Sequence, residues 1–141
     1  MLLVQTLAHE LGADFQLVAD IFIPAVLKLT SRANKVYVNY ATETLKVCIR
    51  EAGLGDMLPL FAQALDNNPS KTMRIAAIDC IYVILHINSP DVIDSHVDLL
   101  ETVMATGILD PTPEVRDLTR TMFEEYQLKY SHRISRYMRI T

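Results

Sequence analysis

Glycine is scarce in this 141-residue chain, with four residues. Turn-rich β architectures need many positions that only glycine fills easily, so the scarcity argues against them. Positive charge is also short. Thirteen Lys and Arg stand against seventeen Asp and Glu, for a net charge of -4. That balance argues against a general nucleic-acid binder, which is basic overall, although local basic edges remain compatible with it. No apolar run approaches the roughly 18–20 residues of a membrane span. The longest, Ile21 to Leu27 and Cys80 to Leu85, are of core size. The N-terminus, MLLVQTLAHELGADF, begins apolar but lacks a basic leader and soon carries His9 and Glu10, so it reads as helix rather than signal peptide. Without a secretion signal, Cys48 and Cys80 read as reduced thiols.

Catalytic patterns are missing as well. The histidines, His9, His86, His96 and His132, fall in no HExxH or HxH spacing, and there is no CxxC. These absences give no support to a metal site. No glycine-rich phosphate loop and no GxSxG occurs. His9 and Glu10 are adjacent and point to different sides of a helix, which suits solvated surface. Asp91, Asp94 and Asp98 share a helix face near its start, where carboxylates complement the helix dipole. A calcium loop would need convergent oxygens and a glycine turn instead. The expectation is a chain with no cofactor, no small-molecule substrate and no enzymatic activity.

What is present is helical periodicity. Half of the residues are hydrophobic and 21% are charged, as in a folded globular chain. Apolar stripes run through Val18, Ile21, Phe22, Ala25 and Leu29, then through Tyr37, Ala41, Leu45, Cys48 and Ile49. Leu58, Phe61, Ala62 and Leu65 form a third. Ile75, Ile78, Ile81, Tyr82 and Leu85 form a fourth. Ile93, Val97, Leu100, Val103 and Met104 form a fifth, and Val115, Leu118, Met122, Phe123 and Tyr126 a sixth. Cysteines on such stripes act as small hydrophobes.

Short turns separate the stripes: SRANK at 31–35, Gly53 and Gly55 at a helix end, NNPS at 67–70, and DPTPE at 110–114. Ser89-Pro90-Asp91 reads as a helix start with a capping serine and proline at the first helical position. Connections this short make neighbouring helices antiparallel. A repeat of about 35 residues underlies them, with Ile23-Pro24 and Leu58-Pro59 opening equivalent helices. Each leads through a polar turn to a lysine, Lys35 or Lys71, and a second helix with Ala41 or Ala77 on its inner face. The units are 14–52, 56–88 and 89–141, the last with a longer first helix and a C-terminal capping segment. Residues 1–12 read as the second helix of a truncated repeat. The expected fold is all-α, an α-solenoid of HEAT-like antiparallel helix pairs in which neighbours bury stripes no pair can bury alone. The apolar first helix suggests a piece of a longer array and offers a route to self-association.

Basic groups gather at the turns within each unit: Arg32 and Lys35, Lys71 and Arg74, then Arg116 beside Glu114 and Asp117. In a solenoid these turns line up along one edge, which would attract an acidic partner. Polar turns are also simply the ordinary chemistry of exposed loops. The tail from Tyr126 to Thr141 mixes Lys129, Arg133, Arg136 and Arg139 with Tyr130, Ile134 and Tyr137. It reads either as a final helix covering the last repeat or as a basic, aromatic contact surface.

The segments FIPAVLKLTSRANKVYVNYATETLKVCIREA, MLPLFAQALDNNPSKTMRIAAIDCIYVIL and GILDPTPEVRDLTRTMFEEY, in this order, resemble the later repeats of a TOG domain of the CLASP type. The resemblance covers nearly the whole chain. It implies binding to tubulin or the microtubule lattice through the intra-repeat turns, in proteins that stabilise microtubules and promote rescue at the cytoplasmic cytoskeleton, spindle and kinetochore. Carried over by position, the turns supply Arg32, Asn34 and Lys35, then Ser70, Lys71 and Arg74, then Pro113, Glu114 and Arg116. The chain departs from the family's pattern in lacking the first two repeats and the tryptophan often found in the first turn. The other reading is a generic HEAT or armadillo scaffold that holds a protein partner on its concave face.

Overall fold

The computed structural model of the chain describes residues 1–66 and 68–131. Eight helices occur in order among them: α1 (Leu2–Leu11), α2 (Gln16–Leu29), α3 (Lys35–Ala52), α4 (Leu58–Leu65), α5 (Lys71–Ile87), the short α6 (Pro90–Ile93), α7 (Val97–Gly107) and α8 (Pro113–Lys129). Three 3-10 turns, Gly12–Phe15, Gly55–Met57 and Asp94–His96, lead into α2, α4 and α7. No strand occurs among the described residues. Among the described residues, no helix is long and apolar enough to cross a membrane.

The pairs α2/α3, α4/α5 and α7/α8 pack internally and then stack. The second helices form one layer, α1 on α3, α3 on α5 and α5 on α8, while α4 packs on α7 in the other. The fold is therefore an all-α solenoid of HEAT-like helix pairs. Its core is continuous through the stack, with Phe15, Ile23, Leu45, Ile49, Leu58, Phe61, Ile81 and Tyr126 fully buried. Burying such side chains stabilises by roughly 1.5–3 kcal/mol each before the entropic cost of ordering the chain.

Local chemistry sets the helix ends. Asn34 caps α3, its Oδ1 accepting from the N–H groups of Val36 and Tyr37 at 3.0 and 3.2 Å. Ser70 Oγ accepts from Met73 N at the start of α5. Gly53 ends α3 at φ 82°, a backbone conformation that a side chain would oppose. Gly107 answers a different need. A Cβ there would stand 2.2 Å from Thr119 Oγ1, so the glycine lets α7 lie directly against α8.

Six sequence expectations are corrected. Pro24 does not open a helix; it lies inside α2. Phe15, Ala19 and Ile23 recur every four residues and are all buried, so the helix starts upstream and tolerates a proline that removes one hydrogen bond. The inward stripe of α2 is accordingly Ala19, Ile23, Val26 and Leu27, while Ile21 is 70% exposed. On α3 the inward position is taken by Val38, leaving Tyr37 half exposed, and on α8 Met122 and Tyr126 turn inward while Phe123 faces outward. The first helix of the third unit is broken rather than long: α6, a 3-10 turn and α7 succeed one another. The tighter turn keeps both Ile93 and Val97 buried and brings His96 Nε2 to within 3.2 Å of Asp56. Ser89 occupies the cap position of α6 but makes no side-chain cap bond. Of the tail, Tyr126 to Lys129 belongs to α8 and Tyr130 is buried. Both readings of the tail's remaining residues concern 132–141, outside the described residues.

Candidate partner-binding edge

The turns between α2 and α3, α4 and α5, and α7 and α8 lie at the same end of their pairs, and hydrogen bonds join them. Thr72 Oγ1 donates to Thr30 O at 2.6 Å, tying the second turn to the first. Arg74 ties the second to the third. Its Nε donates to Asp110 Oδ2 at 3.1 Å, its Nη2 to Thr112 Oγ1 at 3.0 Å, and its Nη1 back to Asn68 O at 2.7 Å. Arg116 Nη1 donates to Asp110 O at 2.8 Å from the other side.

Asp110 is buried, and burial alone would raise its pKa. The Thr112 N–H at 2.9 Å and the Arg74 guanidinium outweigh that and hold the carboxyl below its ordinary 3.8. The side chains of Arg74 and Asp110 are 13% and 7% exposed, so this ion pair is part of the fold.

The residues singled out in the sequence thus divide by role. Arg32, Lys35 and Lys71 are exposed and make no ion pair among the described residues. Asn34 and Ser70 are helix caps. Arg74 and Arg116 are partly buried and turned to Asp110, so their donors serve the turn row itself. Pro113 and Glu114 are exposed at the start of α8. The charge available to a partner is therefore concentrated on the first two turns.

Sequence reasoning missed the apolar part of this surface. Val36, Tyr37 and Tyr40 are 78%, 51% and 41% exposed on the first turns of α3, next to Lys35. The signal was the i, i+3 spacing of the tyrosines beside a capping asparagine. Amphipathic aromatics flanked by a cation suit a protein interface.

Burial pushes the Cys48 thiol up to about 11 and raises Cys80 well above its ordinary value, which opposes thiolate reactivity. No three metal-ligating side chains gather among the described residues. A cleft of about 760 Å³ runs between the end of α4 and α7, lined by Leu65, Asp66, Asp98, Glu101 and Leu109.

The chain matches the CLASP N-terminal family over residues 1–139. It is also 27% identical over 133 residues to a CLIP-associated protein of Arabidopsis thaliana. That alignment covers 92% of this chain and 9% of the relative, so the chain spans less than a tenth of the relative's length. A match across almost every residue, on stacked helix pairs joined at their turns, makes this chain a member of the CLASP N-terminal family.

Proposed function

We propose that the chain is part of a microtubule-associated protein and binds tubulin or the microtubule lattice through its turn edge. The carrying observation is the row of exposed cations, Arg32, Lys35 and Lys71, on turns whose mutual positions are held by hydrogen bonds. Preorganised charge of one sign recruits a partner of the other without ordering loops at the moment of binding. The acidic surface that the family resemblance implies for tubulin fits that requirement. Val36, Tyr37 and Tyr40 supply apolar contact beside the charges. In this reading the chain contributes to the control of microtubule dynamics and stability, including rescue, at the cytoskeleton, spindle and kinetochore. It works by binding rather than by catalysis.

The alternative, a scaffold gripping its partner on the layer of second helices, predicts a different footprint. Amide hydrogen exchange with and without tubulin separates the two. The edge reading expects slowed exchange over residues 32–40 and 70–72. Protection confined to the middles of α3, α5 and α8 would favour the scaffold.

A further inference from the structure

Ser89 carries a hydroxyl that the fold does not use. The residue stands at the cap position of α6, where a serine commonly accepts a backbone N–H, yet it makes no cap bond. No other hydrogen bond reaches its side chain among the described residues, and it is exposed. The segment around it is held by its neighbours. Asn88 Nδ2 donates to Gly53 O at 3.0 Å, Lys129 Nζ donates to Asn88 O at 3.0 Å, and Tyr130 OH lies 3.4 Å from Pro90 O. Asn88 and Ser89 are extended, at φ -92°, ψ 147° and φ -71°, ψ 158°. The proline that follows favours that conformation in Ser89, and Pro90 is itself exposed. A free hydroxyl on extended backbone, followed by an accessible proline, is the form in which a proline-directed protein kinase takes its substrate. No cation occurs from Ile87 to Val92, so a kinase that reads basic flanks finds nothing to hold.

The chain supplies its own comparison. Thr112-Pro113 is the other Ser/Thr-Pro pair, and it too opens a helix from extended backbone, at φ -89°, ψ 121°. Thr112, however, is 5% exposed, and its Oγ1 accepts from Arg74 Nη2 at 3.0 Å. Reaching it requires the third turn to open and Arg74 to let go. We infer that Ser89 is a phosphorylation site for a proline-directed serine/threonine kinase, and that Thr112 in the folded chain is not. In the transfer, Ser89 Oγ bonds to the γ-phosphorus of ATP and the bond from that phosphorus to the bridging oxygen breaks. ADP leaves, and the hydroxyl proton passes to the kinase's catalytic aspartate. The product adds about -1.5 to -2 charge at neutral pH. The 17 residues of α5 separate Ser89 from Lys71 by about 25 Å at a helical rise, well beyond the screening length of about 8–10 Å. The new charge therefore marks the edge opposite the turns and leaves the basic edge unneutralised.

Incubation of the folded full-length chain with a purified mitogen-activated protein kinase and MgATP, read by tandem mass spectrometry, tests this. Synthetic peptides covering 84–94 and 107–117 give the kinase's intrinsic rates on the two pairs. Relative to those rates, Ser89 in the chain should react at least about tenfold faster than Thr112, which must wait for local opening. Ser89→Ala should remove the phosphate at that position with an unchanged urea midpoint. Pro90→Ala, which keeps the hydroxyl, should slow transfer to Ser89 at least about tenfold. Absence of phosphate on Ser89 in the folded chain would overturn the proposal, whatever the peptides do. So would equal relative rates at Ser89 and Thr112, or transfer to Ser89 that Pro90→Ala leaves unchanged.

Discussion

Arg74 and Lys71 stand three residues apart on one helix and do different work. Lys71 is exposed, while Arg74 is turned inward to Asp110, Thr112 and Asn68. Removing Arg74 leaves Asp110 buried without its counter-charge, a change that costs roughly 3–5 kcal/mol. Arg74→Ala should therefore lower unfolding free energy by about 3 kcal/mol in a urea titration, whereas Lys71→Ala should stay within about 0.5 kcal/mol of the parent. The same pair predicts an acid response. The folded-state pKa of Asp110 lies below its ordinary 3.8, so the unfolded chain takes up that proton first as pH falls. Its contribution is complete above pH 3.8 and is lost as pH drops through the lower folded value. Thermal melts between pH 5 and pH 2 should show this loss, and Asp110→Asn should remove that part of the slope. Arg74's inward role could not be read from its own turn, where it looks like one more cation beside Lys71. The partner lies 36 residues away, and only stacking brings it back. The aspartate opening DPTPE was the available clue, since a buried turn carboxylate needs a cation.

Among the helices, legibility depended on whether one stripe had a unique way to face inward. Leu58, Phe61, Ala62 and Leu65 on α4, and Ile93, Val97, Leu100, Val103 and Met104 across α6 and α7, were readable and are buried. α2 was misread because IFIPAVL is apolar on several sides, so periodicity alone did not choose between Ile21 and Ile23. Phe15 and Ala19 decide it, by continuing the Ile23 stripe upstream. The end of α3 shows how much a single cap contributes. Asn34→Ala should cost about 1 kcal/mol by removing the acceptor for two N–H groups, measurable by chemical denaturation. The α7/α8 contact is a sharper test of packing. Gly107→Ala puts a methyl group against Thr119 and should cost roughly 1–3 kcal/mol. Thr119→Ala in the same chain should recover part of that loss, giving a favourable coupling in the double-mutant cycle.

Over the whole molecule, the repeat of about 35 residues made the stack of helix pairs readable before any contact was known. What it left open was which turn residues face a partner, because that depends on contacts between repeats. Stacking consumes Arg74 and Arg116 and leaves Arg32, Lys35 and Lys71 outward. It also leaves Tyr37 half exposed, and the proposed reading assigns it to the partner surface rather than the core. Tyr37→Ala should weaken tubulin binding by about 1–2 kcal/mol while leaving the unfolding midpoint unchanged. The central claim, that a hydrogen-bonded row of turns presents basic charge to an acidic lattice, is tested most directly by co-sedimentation with microtubules. The parent chain should bind at low ionic strength and release as salt rises. Lys35→Glu with Lys71→Glu should lose at least about tenfold in affinity, or about 1.4 kcal/mol, with no loss of fold. Binding of the double variant equal to that of the parent would contradict the account.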